Sequence, residues 1–309
     1  MNATQQKIND TIYNLTFGIE IETVGRSRNF VATALADLFN TFPRHEGGCY
    51  DKWTVAMNDG RKWSIMSDGS VNNVNGIRGG AEVVSPIMRL ADMDAVQEVV
   101  RAVRRSGARV DYSCGIHIHI GANAFDAKAL RNLVVLTAAH EEHFHKAIGT
   151  SGSRLTTWCK PISQRVLDGV ANLKGRNLTL DAIRGIWYGT DSMYPTREHY
   201  NRTRYASLNL HNVWFRGTVE FRSFDATLHA GEIRAYVMLC LCLSAKAIVS
   251  RACKVRRVRY VASTSRYDTR VWLLNLGMIG DEYKNVRKHL LKNTSGDASV
   301  QNGRMQRAA

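Results

Sequence analysis

The chain has 309 residues, 44% hydrophobic and 22% charged, an ordinary globular balance that excludes a largely disordered protein. Its 42 Lys and Arg against 27 Asp and Glu leave a net charge of +15, which favours anionic partners such as a nucleotide, a nucleic acid or an acidic metabolite. The longest apolar run, 235–245, is too short to span a bilayer, the first residues are polar, and the six cysteines form no CxxC pair, which together predict a cytoplasmic protein with reduced thiols.

In chain order, residues 15–24 (LTFGIEIETV) predict a strand and 28–42 an amphipathic helix. Residues 53–66 predict a hairpin around Asn58-Asp59-Gly60. A short strand over 81–85 stops at Pro86, and a helix over 91–106 ends at Gly107. Residues 114–120 predict a strand. Residues 126–148 predict one long helix, N-capped by Asp126 and ended by Gly149. Residues 150–200 show no period and are expected to be irregular. Strands follow over 205–210 and 218–224, then an apolar helix over 232–250. Strands and helices mix without strict alternation, which predicts an α+β fold with a largely antiparallel sheet. No repeat or linker divides the chain, so a single catalytic domain over 1–292 is expected, followed by a disordered polar tail over 293–309.

Three of the strands share a design. Side chains alternate faces along a strand. In Phe17–Glu22, Phe17, Ile19 and Ile21 share one face, and Glu20 and Glu22 the other. Two carboxylates about 7 Å apart on one face repel unless a cation lies between them. Hard oxygen donors suit Mg²⁺ or Mn²⁺, although two ordinary surface glutamates fit the same pattern. In Gly115–Gly121, Ile116, Ile118 and Ile120 oppose His117 and His119, either of which suits a metal or a phosphate. In Thr218–Phe224, Glu220 and Arg222 share a face opposite Val219 and Phe221. That pair reads either as an ion pair or as a metal ligand beside a phosphate clamp. Asp68 on the tight Ser67–Ser70 loop and Glu82 after the Gly79-Gly80 pair add two more acids. Assembled in one sheet, these residues make a polar face suited to a metal–nucleotide complex.

The motifs FGIEIE, SDGSV, AEVVSP, CGIHIHIG, RYASLNL and TVEFRSFDATLH, in this order over about residues 15–250, resemble the amidoligase family, carboxylate–amine ligases related to glutamate–cysteine ligase and glutamine synthetase. The resemblance implies a curved, largely antiparallel sheet, a glutamine-synthetase-like funnel with helices outside. It implies ATP with Mg²⁺, and amide formation through an acyl phosphate. It implies Glu20, Glu22, Glu82 and Glu220 as metal ligands and His117 or His119, with His117 favoured, near metal and phosphate. Arg222 matches the arginine that contacts the transferred phosphate, and Asp68 a loop acid. Arg202, Arg204 and Asn209 lie in a segment that resembles a substrate- or phosphate-contacting strand. The resemblance implies small-molecule or peptide carboxylate and amine substrates. An acyl phosphate must meet its amine before water, so residues 150–200 are expected to form a lid.

Two other classes stay open on residues alone. Residues 251–270 hold seven Lys and Arg against one Asp, which fits a basic nucleic-acid-binding protein without ligase activity as well as a solvated loop. Acids and His on strands also suit a metal-dependent nuclease. The segment His140–Phe144 misses the second His of HExxH, a zinc site at Cys114, His117 and His119 lacks a fourth ligand, and Cys114 as a nucleophile lacks an assigned base.

Overall fold

The computed structural model of the chain describes residues 3–189 and 195–299. Eight strands are hydrogen-bonded in the order β2–β3–β4–β5–β1–β6–β8–β7, an open sheet. They are β1 (Phe17–Thr23), β2 (Arg44–Gly47), β3 (Lys52–Ala56), β4 (Lys62–Met66), β5 (Ala81–Val84), β6 (Gly115–Gly121), β7 (Leu208–Asn209) and β8 (Thr218–Asp225). The pairings β1–β5, β2–β3, β3–β4, β4–β5 and β7–β8 are antiparallel. The helices are α1 (Ala3–Asn14), α2 (Arg28–Phe39), α3 (Met93–Arg105), α4 (Ala127–Ala139), α5 (Glu141–Ile148), α6 (Gly152–Thr157), α7 (Gln164–Asn172), α8 (Leu180–Tyr188), α9 (His211–Phe215), α10 (Ala230–Val249), α11 (Ser265–Asn275) and α12 (Lys284–Leu290). This is the expected α+β class. The chain divides into two compact units: one of residues 16–119 and 224–234, the other of the described parts of 1–15, 120–223 and 235–309.

In the first unit, alternation along the strands sets which residues meet. Phe17, Ile19 and Ile21 of β1, Val55 of β3, Trp63 and Ile65 of β4, Val83 of β5 and Ile116 and Ile118 of β6 are fully or almost fully buried. Helix α2 packs on β3, β4, β5 and α3, and α3 buries Val96, Val99, Val100 and Val103. Each such aliphatic side chain contributes roughly 1.5–3 kcal/mol by burial. A slip of one residue in β1, β5 or β6 would exchange the apolar and the polar sets between the two faces of the sheet. The register Ile21↔Val83 puts Glu22 opposite Glu82, and Met66 opposite Glu82 on its other side. The apolar core thus dictates which face carries the acids.

The hairpin forms as expected, with Gly60 at φ +84 in its turn and the pairs Val55↔Trp63 and Ala56↔Lys62. The loop between β4 and β5 returns through Gly80. A Cβ there would lie 2.1 Å from the Thr23 carbonyl oxygen, and φ is +51, so only glycine fits. Arg28 fastens this loop by donating to the Gly80 carbonyl at 2.7 Å, and the Asp68 N–H donates to the Gly79 carbonyl at 2.9 Å.

The second unit is built on α10, whose residues 235–245 are all buried. Asn132 of α4 donates to the carbonyls of Ala247 and Ser250, covering the end of α10. Asp126 caps α4 as expected, accepting from the Ala129 N–H at 2.7 Å, and Gly149 ends α5 in the left-handed region. The predicted single helix over 126–148 is in fact two. It breaks at His140, whose φ of −120 leaves the helical region while its ring stacks on Trp272 at 5.3 Å. No Gly or Pro marks this break, because tertiary stacking makes it.

Residues 150–200, expected to be irregular, hold α6, α7 and α8. Ser163 and Thr179 cap α7 and α8, accepting from the N–H groups of Val166 and Ala182, and both helices pack on α4. Nine-residue helices are too short for their period to stand out. Residues 190–194 of that segment lie outside the described residues. The strand expected over 205–210 shrinks to β7; just before it the Asn201 side chain accepts from the Thr203 N–H and caps a 3-10 turn over 202–204. The tail is ordered at its start: Asn293 donates to the Ala147 carbonyl, the Ser295 N–H to the Ser265 hydroxyl, and Thr294 is buried. Residues 300–309 lie outside the described residues. Helix α1 was not predicted, yet Gln5, Ile8 and Ile12 form a buried stripe, and Gln5 donates to the Gly277 carbonyl at 2.6 Å. Among the described residues no helix is long and apolar enough to cross a membrane.

Candidate active site

The first unit gathers six of the predicted residues. Glu20 and Glu22 come from β1, Glu82 from β5, His117 and His119 from β6, and Asp68 from the loop after β4. Their donor atoms form two overlapping groups, Glu20–Glu82–His117 and Glu22–Asp68–Glu82, each with all its atoms within 4.8 Å of one another. Glu82 belongs to both. His117 Nδ1 lies 3.0 Å from Glu20 Oε2 and its Nε2 3.9 Å from Glu22 Oε1, while His119 Nε2 lies 3.4 Å from Glu20 Oε1. The Gly115 N–H donates to Glu22 Oε2 at 2.5 Å, fixing that carboxylate. Glu22, Glu82, His117 and His119 are all buried.

Burial raises the Glu20 carboxyl, but the charge of His119 and the hydrogen bonds of His117 and His119 outweigh it and hold the group well below the ordinary carboxylate range. Glu20 therefore keeps its negative charge. Four carboxylates and two imidazoles in buried surroundings leave an excess of anionic oxygen that a divalent cation would neutralise. A donor set dominated by carboxylates is the chemistry of Mg²⁺ or Mn²⁺ rather than zinc. The residues present thus fit the predicted metal.

The second unit places Glu220 and Arg222 on β8. Both are buried, and Arg222 Nη1 donates to Glu220 Oε1 at 2.5 Å. Asn209 and Asn212 each donate to Glu220 Oε2 at 2.6 Å. The geometry is that of an ion pair with both carboxylate oxygens engaged. Asn209 was anticipated as a residue of a substrate- or phosphate-contacting strand, not as a partner of Glu220. Asn212 was not anticipated, although its place three residues on, at the start of the turn of α9, was the signal. The Arg222 N–H donates to the Ser207 carbonyl at 3.0 Å, tying β8 to the edge loop. Arg204 donates to the His199 carbonyl and lies over the rings of Tyr200 and Tyr205, while Arg202 is exposed; neither sits on a strand.

Glu141 is buried and central to this unit. It accepts from the Ile162 N–H at 2.9 Å, from the Ser207 hydroxyl and from Arg257 Nη1 at 3.2 Å. Burial raises its carboxyl above the usual value against the pull of these donors.

Cys114 drops out of both roles weighed for it. Its Sγ lies against Asp111 Oδ1 at 3.6 Å, burial pushes the thiol up to about 12, which leaves little thiolate for attack, and among the described residues Cys114 joins none of the donor groups that could hold a metal. Cys49 is the exposed cysteine among the described residues, and Cys114, Cys159, Cys240 and Cys242 are buried. Ellman's reagent on the native protein is expected to react at Cys49 first and at Cys114 only after unfolding. Fast labelling of Cys114 would reverse that assignment.

An open α+β sheet carrying a cluster of carboxylates and imidazoles on one face defines a candidate metal-dependent enzyme. The family described as "Putative amidoligase enzyme" matches residues 13–244, three quarters of the chain, and the chain belongs to it. No curated protein matches the sequence. Among solved structures, the chain is similar to a bifunctional glutathione synthetase from Pasteurella multocida, at 10% identity and a TM-score of 0.47, over 98% of this chain and 51% of that one. The chain thus spans about half the length of that protein.

Proposed function

We propose that the chain is an ATP- and Mg²⁺-dependent ligase that joins a carboxylate to an amine through an acyl phosphate. The observation that carries this reading is the pair of overlapping donor groups sharing Glu82. Glu20, Glu22, Asp68, Glu82 and His117 would hold the metal ions, which supply positive charge against the transferring phosphoryl group. Within the other unit, Asn209 and Asn212 hold Glu220 in place, and Glu220 orients the Arg222 guanidinium, a group suited to pairing with a phosphate. His119 supports the ionised form of Glu20. A carboxylate is a poor electrophile, so activation as a mixed anhydride with phosphate makes the attack of an amine feasible, and water must be kept away meanwhile.

Calorimetric titration of ATP with and without Mg²⁺, followed by a screen of acids and amines for ADP release, tests this reading. Binding that requires the metal and is lost in Glu82→Ala is the expected result. A folded protein that binds no ATP in either condition overturns it.

A further inference from the structure

Asp68 differs from the other clustered carboxylates of the first unit in having no strand under it. Glu20, Glu22 and Glu82 are held by β1 and β5, whereas Asp68 stands in the loop 67–80 between β4 and β5. Its carboxylate nevertheless comes within 4.8 Å of Glu22 and Glu82 to complete the second donor group. Whatever holds that loop therefore decides whether the group forms.

The hydrogen bonds around the loop close a ring. At its start, the Ser67 N–H donates to the Tyr50 carbonyl at 2.9 Å, and the Asp68 N–H donates to the Gly79 carbonyl at 2.9 Å. At its end, Arg28 Nη1 donates to the Arg78 carbonyl at 2.9 Å and to the Gly80 carbonyl at 2.7 Å. Arg28 Nε donates to Asp51 Oδ2 at 2.7 Å, and Asp51 follows Tyr50 directly, so the ring returns to where it began. His45 Nε2 lies 2.8 Å from the other Asp51 oxygen. Asp68 itself is set by Ser70, whose N–H and hydroxyl both donate to Oδ1 at 2.6 Å.

Arg28 and Asp51 suit these bonds better than they suit their own segments. Arg28 is the first residue of α2, where the helix dipole disfavours a cation. Asp51 has φ +45, a region in which glycine is the easier residue. The Arg28 side chain is 15% exposed, so water competes little for its bonds to the loop.

We propose, resting on the metal reading of this cluster, that Arg28 is a positioning residue for the metal centre. Its planar fork bridges the loop carbonyls and the Asp51 carboxylate at once, and so holds Asp68 within reach of Glu22 and Glu82. It acts through the loop backbone.

Titration calorimetry of Mn²⁺ into the full chain tests this role, because position and charge predict opposite signs. If charge alone matters, removing a cation near the site strengthens metal binding. Arg28→Gln is expected instead to raise the Mn²⁺ dissociation constant about tenfold or more, the usual loss when a group supporting a metal ligand is removed. Arg28→Lys keeps the charge but lacks the fork, and is expected to weaken binding in the same direction. In an Asp68→Ala background, Arg28→Gln is expected to change the constant by no more than about twofold, since a residue that acts through Asp68 has nothing left to hold. Circular dichroism in chelator checks folding, and the Lys variant carries the test where the Gln variant does not fold. Mn²⁺ binding as tight as wild type, or tighter, in Arg28→Gln and Arg28→Lys overturns the proposal. So does a tenfold loss that persists in the Asp68→Ala background, which would make Arg28 a general prop of the fold. A wild type that binds no Mn²⁺ removes the metal reading itself, and the positioning role with it.

Discussion

Replacing Glu82 by Gln is expected to abolish the stabilisation of the protein by Mn²⁺ or Mg²⁺ while leaving the metal-free protein as stable as wild type or more so. Glu82 is the residue common to both donor groups, so its loss reduces each to two donors. It also stands directly opposite Glu22 across the β1–β5 pair, where like charges destabilise a sheet. Gln keeps the volume and removes one of the two charges. A metal at a hundred times its dissociation constant stabilises the folded state by about 2.7 kcal/mol. For a chain of this size that is a rise in melting temperature of roughly 4 °C. Differential scanning calorimetry in chelator and in excess metal measures both effects on one sample. The combination of signs is what discriminates. A surface glutamate would change neither value, and a purely structural one would lower the chelator value. A metal-dependent rise that persists in Glu82→Gln would show that Glu82 is not a ligand.

The parts of this site that were readable before the fold are those set by alternation. In β1 and β6 the apolar residues Ile19, Ile21, Ile116 and Ile118 fix one face, so Glu20, Glu22, His117 and His119 are placed on the other with no knowledge of the neighbours. Which strands lie side by side is a different matter, because it depends on packing of α2 and α3 over the apolar face. Glu82 could be put on a strand from sequence, but not opposite Glu22. Local chemistry read well where it is self-contained, as in the Asp126 cap, the Gly149 stop and the Asn58–Gly60 turn. It failed where tertiary contacts decide. The break at His140 follows from stacking on Trp272, 132 positions further on by number. The role of Glu141 follows from that break, since its carboxylate then meets Ile162, Ser207 and Arg257. The short helices of 150–200 failed for lack of length, and α1 because its buried stripe is a few residues in a polar sequence.

The same break gathers His140, His143 and His145 within the second unit, and their burial makes the fold acid-sensitive in a defined window. His145 is buried and its Nε2 lies 3.1 Å from the Ser223 hydroxyl. Burial lowers it from 6.5 to about 4. His140 is lowered to about 4 by burial and by its neighbour His143. Burial lowers His143 as well, against the pull of Asp268 and Glu142. Each has a folded-state value below its unfolded one. Above about pH 6.5 all are neutral in both states and stability is insensitive to them. As pH falls toward 4, the unfolded chain takes up protons that the folded one refuses, and stability drops. His145 alone is worth on the order of 3 kcal/mol over the whole window. Glu141 acts in the opposite sense. Its value is raised by burial, so the folded state gains protons first as pH falls, and part of the loss is offset. The prediction is read as a difference between two pH values. Between pH of about 7.5 and about 4.5, the urea midpoint of the wild type should fall by roughly 1 M more than that of His145→Gln. Gln retains an amide able to meet Ser223 and cannot titrate, so any stability it loses at neutral pH cancels in the difference. Equal falls in the two proteins would mean that His145 is protonated as readily in the folded chain as in the unfolded one.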